Sequence, residues 1–403
     1  MTPDTTNNTI VIGAGLSGLA AAQQLRARDI PVTILEASDR VAAPWHARHP
    51  QLRLNIHRRF ARLPGHLKVR DTDTYLRKAS VIEYLTDYAR KLDAPIHFET
   101  EVQAIERKND MWHVDTNKGS YCAAHLIVAT GRERERSMPV WPGMEDFGGQ
   151  VIHAADFADP QDYTDKKVLV IGAGNSGTDV LNHLSRARPG KVWVSVRHGP
   201  AILPTRVFGF PLHRLANLFA RLPKRSLDPI FAIMQWLFFG NLRRHGLRRH
   251  VVGGGTRMLT DGVTFALDDG FVAALKSGRV EAVAETVGFA PTAVELSDGR
   301  KICPDVVICA TGYHAGLQEV FGHLGVLDAK GYPTHPMGQS DPANPDLWFT
   351  GYGVIFQGFF YAAGISGKRI ANAIGSRNPT AVRRQSLTSP PGKQPLALDG
   401  AEG

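Results

Sequence analysis

Cysteine is nearly absent from this chain of 403 residues: only Cys122, Cys303 and Cys309 occur, with no CxxC pair and no metal-ligand spacing. That scarcity excludes a disulfide framework and a dithiol redox centre, and it leads us to expect a reducing, cytoplasmic compartment. Cys303 and Cys309 flank Pro304 in what reads as one strand, so buried free thiols are expected. Long apolar runs are missing too. The longest, Ile230 to Phe239, is about half of the roughly 20 residues that span a bilayer. Met1 to Asn8 carries neither a basic start nor an apolar stretch, so no signal peptide is expected. Acidic residues are scarce in one segment above all. Thr205 to His250 holds nine basic residues against Asp228 alone, and accounts for most of the net charge of +9. No aromatic-interleaved basic platform accompanies that charge, so a nucleic-acid partner is not expected.

Glycine, by contrast, is abundant, with 40 residues, and its placement is informative. Thr9-Ile-Val-Ile-Gly-Ala-Gly-Leu-Ser-Gly18 recurs as Val168-Leu-Val-Ile-Gly-Ala-Gly-Asn-Ser-Gly177, with Gly13 and Gly172 lying 159 positions apart. The separation is too long for a solenoid and indicates two domains of one type. In each copy a β-branched strand precedes the glycines and a helix follows (Leu16 to Arg28; Ser176 to Arg186). A second strand comes next (Val32 to Leu35; Val192 to Val196). This is βαβ, hence an α/β protein with two Rossmann-like dinucleotide-binding domains and parallel sheets between helical layers.

Between the repeats lie a Trp/Arg/His-rich stretch (Trp45 to His66), a helix (Ser80 to Lys91) and strand-like runs at Ile96 to Ile105 and Trp112 to Asp115. Leu126 to Gly131 reads as a buried strand ending in Ala129-Thr130-Gly131, and Val306 to Gly312 repeats it with Ala310-Thr311-Gly312. Leu347 to Gly351 is a last strand and Ala362 to Ile374 a last helix.

The two loops differ where ligand identity is decided. The first copy's second strand ends at Glu36, whose carboxylate would accept from ribose hydroxyls and repel a 2′-phosphate, which suits FAD or NAD. The second ends at Ser195-Val-Arg197, and a guanidinium there suits the 2′-phosphate of NADPH; the alternative is a solvated strand-end arginine.

At this point the sequence resembles a known family, the class B flavin-containing monooxygenases, which include animal drug-oxidising and plant YUCCA-type enzymes. Its fingerprint F-x-G-x-x-x-H-x-x-x-[FY] stands complete as Phe147-Gly-Gly149-Gln-Val-Ile-His153-Ala-Ala-Asp-Phe157, just before the second glycine loop. Gly172-Ala-Gly174-Asn175-Ser176-Gly177 resembles the family's NADPH loop, and Ala310-Thr311-Gly312-Tyr313 its A-T-G-Y motif. Trp45 and Asn55, the latter in Leu-Arg-Leu54-Asn55-Ile, are similar to residues placed near the flavin. Val207 to Gly246 looks like the YUCCA-type pattern. Two alanines before Pro44-Trp45, and Ala158 after Phe157, depart from relatives and leave the oxygenation chemistry open.

The resemblance implies an FAD- and NADPH-dependent monooxygenase. One oxygen atom from O2 would enter a small organic substrate through a C4a-(hydro)peroxyflavin, by hydroxylation, N- or S-oxygenation or oxidative decarboxylation of a 2-oxo acid. Baeyer–Villiger oxygenation of a ketone, a reductase serving a protein partner, and an NADPH-sensing regulator are the alternatives. The implied cofactor contacts are Gly13, Ala14, Gly15, Leu16, Ser17, Gly18, Glu36, Trp45, Leu54, Asn55, Val102, Ala129, Thr130 and Gly131. On the NADPH side they are Gly172, Gly174, Asn175, Ser176, Gly177, Arg197, Ala310, Thr311, Gly312 and Tyr313. Asn55 would bond near the flavin and nicotinamide, or merely sit in a turn. His153 would orient NADP+, or be a satisfied structural histidine. The chemistry belongs to the flavin, which is why no nucleophile–base–acid constellation is needed.

The expected domains are a discontinuous FAD domain of residues 1–160 and 305–375 and an inserted NADPH domain of 161–304. The latter carries a helical basic insertion, 205–250, and a flexible tail covers 376–403. The insertion would pack on the NADPH domain, lid a substrate channel, or make weak contact with anionic lipid.

Overall fold

The structure, a computed structural model, describes residues 9–65 and 67–377. The expected tail lies outside them, apart from the two residues that close the last helix, Phe359–Arg377. Each glycine repeat nucleates its own five-stranded parallel sheet. In the first, Thr9–Ile12 is central, flanked by Val32–Leu35 and His125–Val128, with Ile96–His97 and Leu347–Phe349 at the edges. All four residues of the central strand are buried, as continuous apolar strands covered on both faces should be. Helix Leu16–Arg26 packs on this sheet and on helix Phe359–Arg377. The two helices approach so closely that a Cβ on Gly367 would lie 3.1 Å from the Ala21 Cα.

The second sheet runs Val280–Val283, Lys191–Ser195, Lys167–Ile171, Val306–Cys309, Gln150–His153. Its two outer members on one side come from segments expected in the first domain. Gln150–His153 pairs in register with Val306–Cys309, Ile152 opposite Ile308, so the chain enters the second domain before residue 160 and leaves it after 305. Four of the eleven residues of the sequence fingerprint thus form an edge strand. Pro304 lacks the N–H a continuous strand would need, so Lys301–Ile302 and Val306–Cys309 are separate. Cys303 between them is exposed, against expectation, while Cys309 is buried and its thiol is pushed up to about 12 by desolvation. The run Ile96 to Ile105 likewise breaks at Glu99, whose φ is +53°, and continues as Val102–Lys108.

The duplication goes further than the glycine loops. In each domain a three-stranded antiparallel meander leads directly into the strand that ends in Ala-Thr-Gly. The basic insertion leaves the second domain at Ile202–Pro204 and returns at Ala266–Asp268, two strands paired in parallel. Between them helix Lys224–Phe239 turns Leu227, Phe231 and Phe239 inward. Ile233, Trp236 and Leu237 are about two-thirds exposed. The basic side chains of the segment are exposed throughout.

Candidate active site

The three glycines of each loop do three different things. Gly13 and Gly172 adopt φ of +107° and +97°, and a Cβ on either would lie 2.7 Å from the carbonyl oxygen of Ala129 or Ala310. Each Ala-Thr-Gly strand end therefore packs against its own glycine loop. Gly18 and Gly177 lie where a Cβ would fall 1.9 and 2.0 Å from the Gly13 and Gly172 carbonyls, so helix meets strand without a side chain between. Gly15 and Gly174 face open space, with nothing within 4 Å of a Cβ. They are the N-caps of helices Leu16–Arg26 and Asn175–Leu184, and neither helix start has a side-chain cap. Open space before uncapped helix amides is what a pyrophosphate requires. The residues present fit a dinucleotide at each loop.

Glu36 is positioned by the first loop. One carboxylate oxygen accepts from the Ala14 N–H at 2.6 Å, the other from the Ser38 N–H and hydroxyl at 2.9 and 2.6 Å. Arg197, at the corresponding place in the second domain, is 76% exposed and has its Nε 3.5 Å from Glu285.

Between the domains lies a cavity of about 770 Å³. Of the residues expected at the cofactors, Gly13, Gly15, Leu16, Ser17, Glu36, Trp45, Leu54, Asn55, Val102, Ala129, Thr130, Gly131, Asn175, Ser176 and Tyr313 line it. The Asn55 carboxamide makes no hydrogen bond among the described residues, which leaves it free toward a ligand. Ala14, Gly18, Gly172, Gly174, Gly177, Ala310, Thr311 and Gly312 stand behind the lining, and Arg197 lies outside it. Thr311 donates to the Ser137 carbonyl and so ties the second Ala-Thr-Gly turn to the first domain's loop.

His153 is also behind the lining. Its Nδ1 accepts from the Ala155 N–H at 3.1 Å and its Nε2 faces the Gly312 carbonyl at 3.2 Å, so main chain holds both nitrogens. Burial lowers its pKa. The ring stacks edge-on against Tyr313, 4.9 Å between centroids. In this structure it supports the Gly312–Tyr313 turn and does not face the cavity.

Several lining residues were not legible in sequence. Arg48 and His49 reach from the first domain to the second: the Arg48 guanidinium sits 4.0 Å over the Tyr313 ring and His49 Nε2 is 2.9 Å from Asp179. Their loop is anchored from behind by Lys78, which donates to the His46 and Arg48 carbonyls. The basic insertion supplies Leu212, His213, Ala216, Phe219 and Phe231, so it roofs the cavity as well as packing on the domain. His213 is held between the His57 N–H, which donates to its Nδ1, and the Phe356 main chain; burial drops its pKa to about 4. The only sequence signal for this roof was the apolar spacing inside a basic segment.

Two unlike dinucleotide cradles opening on one shared cavity, with no CxxC in the chain, define an oxidoreductase that brings a nicotinamide to a flavin without a dithiol. Residues 10–201 match the family model described as pyridine nucleotide-disulphide oxidoreductase. Among curated proteins the chain is 35% identical over 340 residues to the probable indole-3-pyruvate monooxygenase YUCCA7 of Arabidopsis thaliana, covering 79% of this chain and 78% of that one. The flavin-containing monooxygenase from Stenotrophomonas maltophilia superposes with a TM-score of 0.67 at 23% identity, over 92% of this chain and 98% of that one. OTEMO, solved in complex with FAD and NADP, gives 0.68 at 17% identity over 96% and 87%. The chain belongs to the class B flavin monooxygenase family, in its YUCCA-like part. It is an NADPH-dependent flavin monooxygenase with FAD and NADPH as cofactors. No helix among the described residues is long and apolar enough to cross a membrane.

Proposed function

We propose that the protein oxidatively decarboxylates an aromatic 2-oxo acid of the indole-3-pyruvate kind. One observation carries this reading: one wall of the cavity is a cluster of phenylalanine rings packed on one another. Phe231 lies 4.2 Å from Phe265, 5.1 Å from Phe219 and 5.9 Å from Phe356, ring centre to ring centre. Such a wall favours a flat apolar ring through burial and edge or offset contacts. The names of the YUCCA relatives support the same substrate.

The flavin, when bound, supplies oxygen activation after reduction by NADPH. The reaction balances as 2-oxo acid, O2, NADPH and a proton giving the shortened acid, CO2, NADP+ and water. The chain's own residues do the rest. Glu36 would hold the FAD ribose, and Arg197 would read the NADPH 2′-phosphate. Asn55, in the cavity lining, would offer its amide to the bound flavin or nicotinamide. The insertion keeps bulk water from this wall, which protects an activated oxygen from wasteful release. The exposed Ile233, Trp236 and Leu237, among solvent-facing arginines, also support weak contact of the insertion with an anionic membrane surface.

The test is incubation of the FAD-loaded protein with NADPH, O2 and indole-3-pyruvate, with product mass measured. Indole-3-acetate is the expected product. Its absence, alongside turnover of a ketone to an ester or of an amine to its N-oxide, would replace this reading.

A further inference from the structure

The cavity lining contains one cation whose charge no carboxylate answers. Arg48 pairs with Glu133, Arg53 with Asp73, Arg134 with Glu101 and Arg136 with Asp156. Of the remaining lining acids, Glu36 accepts from two amides, and Asp179 lies 2.9 Å from His49. Arg132 has no ion pair among the described residues; its one polar contact is the Tyr352 carbonyl at 3.5 Å. The guanidinium has aromatic and backbone neighbours instead. It lies 5.1 Å from the Tyr332 ring centre and 6.0 Å from that of Phe359. The backbone at Gly262 comes so close that a Cβ there would fall 2.5 Å from Nη1. A half-buried guanidinium, confined on three sides and lacking a counter-ion, is poised for an anion.

Two short stretches join this position to the aromatic wall. Gly262 touches Arg132 while Phe265 packs on Phe231; Phe359 touches Arg132 while Phe356 packs on Phe231. The members of each pair are three positions apart, so the backbone between spans at most about 10 Å. An arylpyruvate carries its carboxylate a methylene and a carbonyl away from the ring, a reach compatible with that span.

We infer that Arg132 anchors the carboxylate of an aromatic 2-oxo acid whose ring lies against the wall formed by Phe219, Phe231, Phe265 and Phe356; this rests on the decarboxylation reading above. The anchored carboxylate is the group that leaves as CO2: the C1–C2 bond breaks, C2 gains a bond to one oxygen of O2 as the O–O bond breaks, and the other oxygen leaves as water with the two electrons that NADPH supplied. The ion pair therefore exists in the substrate complex and is lost with the reaction. Arg132 thus acts on KM more than on kcat, and it selects acids over neutral aryl compounds.

The experiment compares wild type, Arg132→Gln and Arg132→Lys, each FAD-loaded. Two readouts are used: KM for indole-3-pyruvate, and calorimetric binding of indole-3-propionate and its uncharged amide with NADP+ present. Arg132→Gln should raise KM, and weaken the propionate, by about 10- to 150-fold, the range for a charge-assisted bidentate contact. The amide, the FAD content and the KM for NADPH should stay within about twofold, and Arg132→Lys should recover part of the loss. If wild type does not turn over indole-3-pyruvate but propionate binding still depends on Arg132, the anchor stands and the decarboxylation reading fails. Equal propionate affinity in wild type and Arg132→Gln overturns the anchor. So does a loss that follows NADPH or FAD instead of the acid.

Discussion

Two glycines of the first loop, three residues apart, should fail in opposite ways. Gly15 sits at a helix N-cap with φ −81° and ψ −176°, extended backbone that valine adopts without strain. A Cβ there meets nothing within 4 Å, so Gly15→Val should leave the apoprotein fold intact and block the space before the helix amides. Gly18→Ala is the smaller change on paper, and helix propensity favours it by roughly 0.5–1 kcal/mol. Its Cβ, however, would lie 1.9 Å from the Gly13 carbonyl oxygen, and that oxygen belongs to the backbone of the turn itself. Helix and loop must separate, an overpacking cost of about 1–3 kcal/mol or more that outweighs the propensity gain. For a domain of this size that is a fall of roughly 2–12 °C in melting temperature. Because bound FAD adds its own stability, melting should be compared on deflavinated proteins, with FAD content of the purified forms read by absorbance. The expected pattern is Gly15→Val colourless with a wild-type apoprotein melt, and Gly18→Ala melting low. A yellow, fully loaded Gly15→Val, or an unshifted Gly18→Ala, would refute the assignment of roles.

Three further expectations concern the second cofactor, the Asn55 amide and the roof. Arg197→Ala should weaken NADPH by roughly 10- to 150-fold in steady-state KM and leave NADH nearly unchanged, since a guanidinium–phosphate contact contributes about 1.5–3 kcal/mol; equal losses for both would mean Arg197 does not read the phosphate. Asn55→Ala should still consume NADPH yet release hydrogen peroxide in place of oxygenated product, seen as a falling product-to-NADPH ratio; unchanged coupling would reduce Asn55 to a bend residue. His213, lowered from 6.5 to about 4 by burial, is neutral in the fold while its unfolded counterpart takes a proton below pH 6.5. Its contribution is present above that pH and is lost as pH falls toward 4, on the order of 3 kcal/mol in total. His213→Asn, which keeps an acceptor for the His57 N–H, should flatten the decline in urea-unfolding stability between pH 7 and 4.5; an undiminished decline in the variant would place the effect elsewhere.

The sequence by itself determined the two dinucleotide folds and the three glycines that shape each loop. Tight turns, amide cradles and helix–strand contact each need glycine at one position, so Gly13, Gly15 and Gly18 and their second copies were legible with the strands around them. Glu36 and Arg197 were proposed for the same local reason, the position after a strand end; the structure brings Glu36 to the cavity and leaves Arg197 outside its lining. Helix and strand periods do not say which sheet a strand joins. Gln150–His153 and Val306–Cys309 read as first-domain segments, and only long-range parallel pairing placed them in the second sheet. Nor could spacing show that His153 turns both nitrogens to main chain, or that Arg48 and His49 bridge two domains. The aromatic wall draws Phe219 and Phe231 from the insertion, Phe265 from its return and Phe356 from the far end of the chain. Arg132 is conspicuous only once every other lining charge has found its partner. Those are consequences of burial and of Coulomb pairing between residues distant in sequence, and they exist only in the folded molecule.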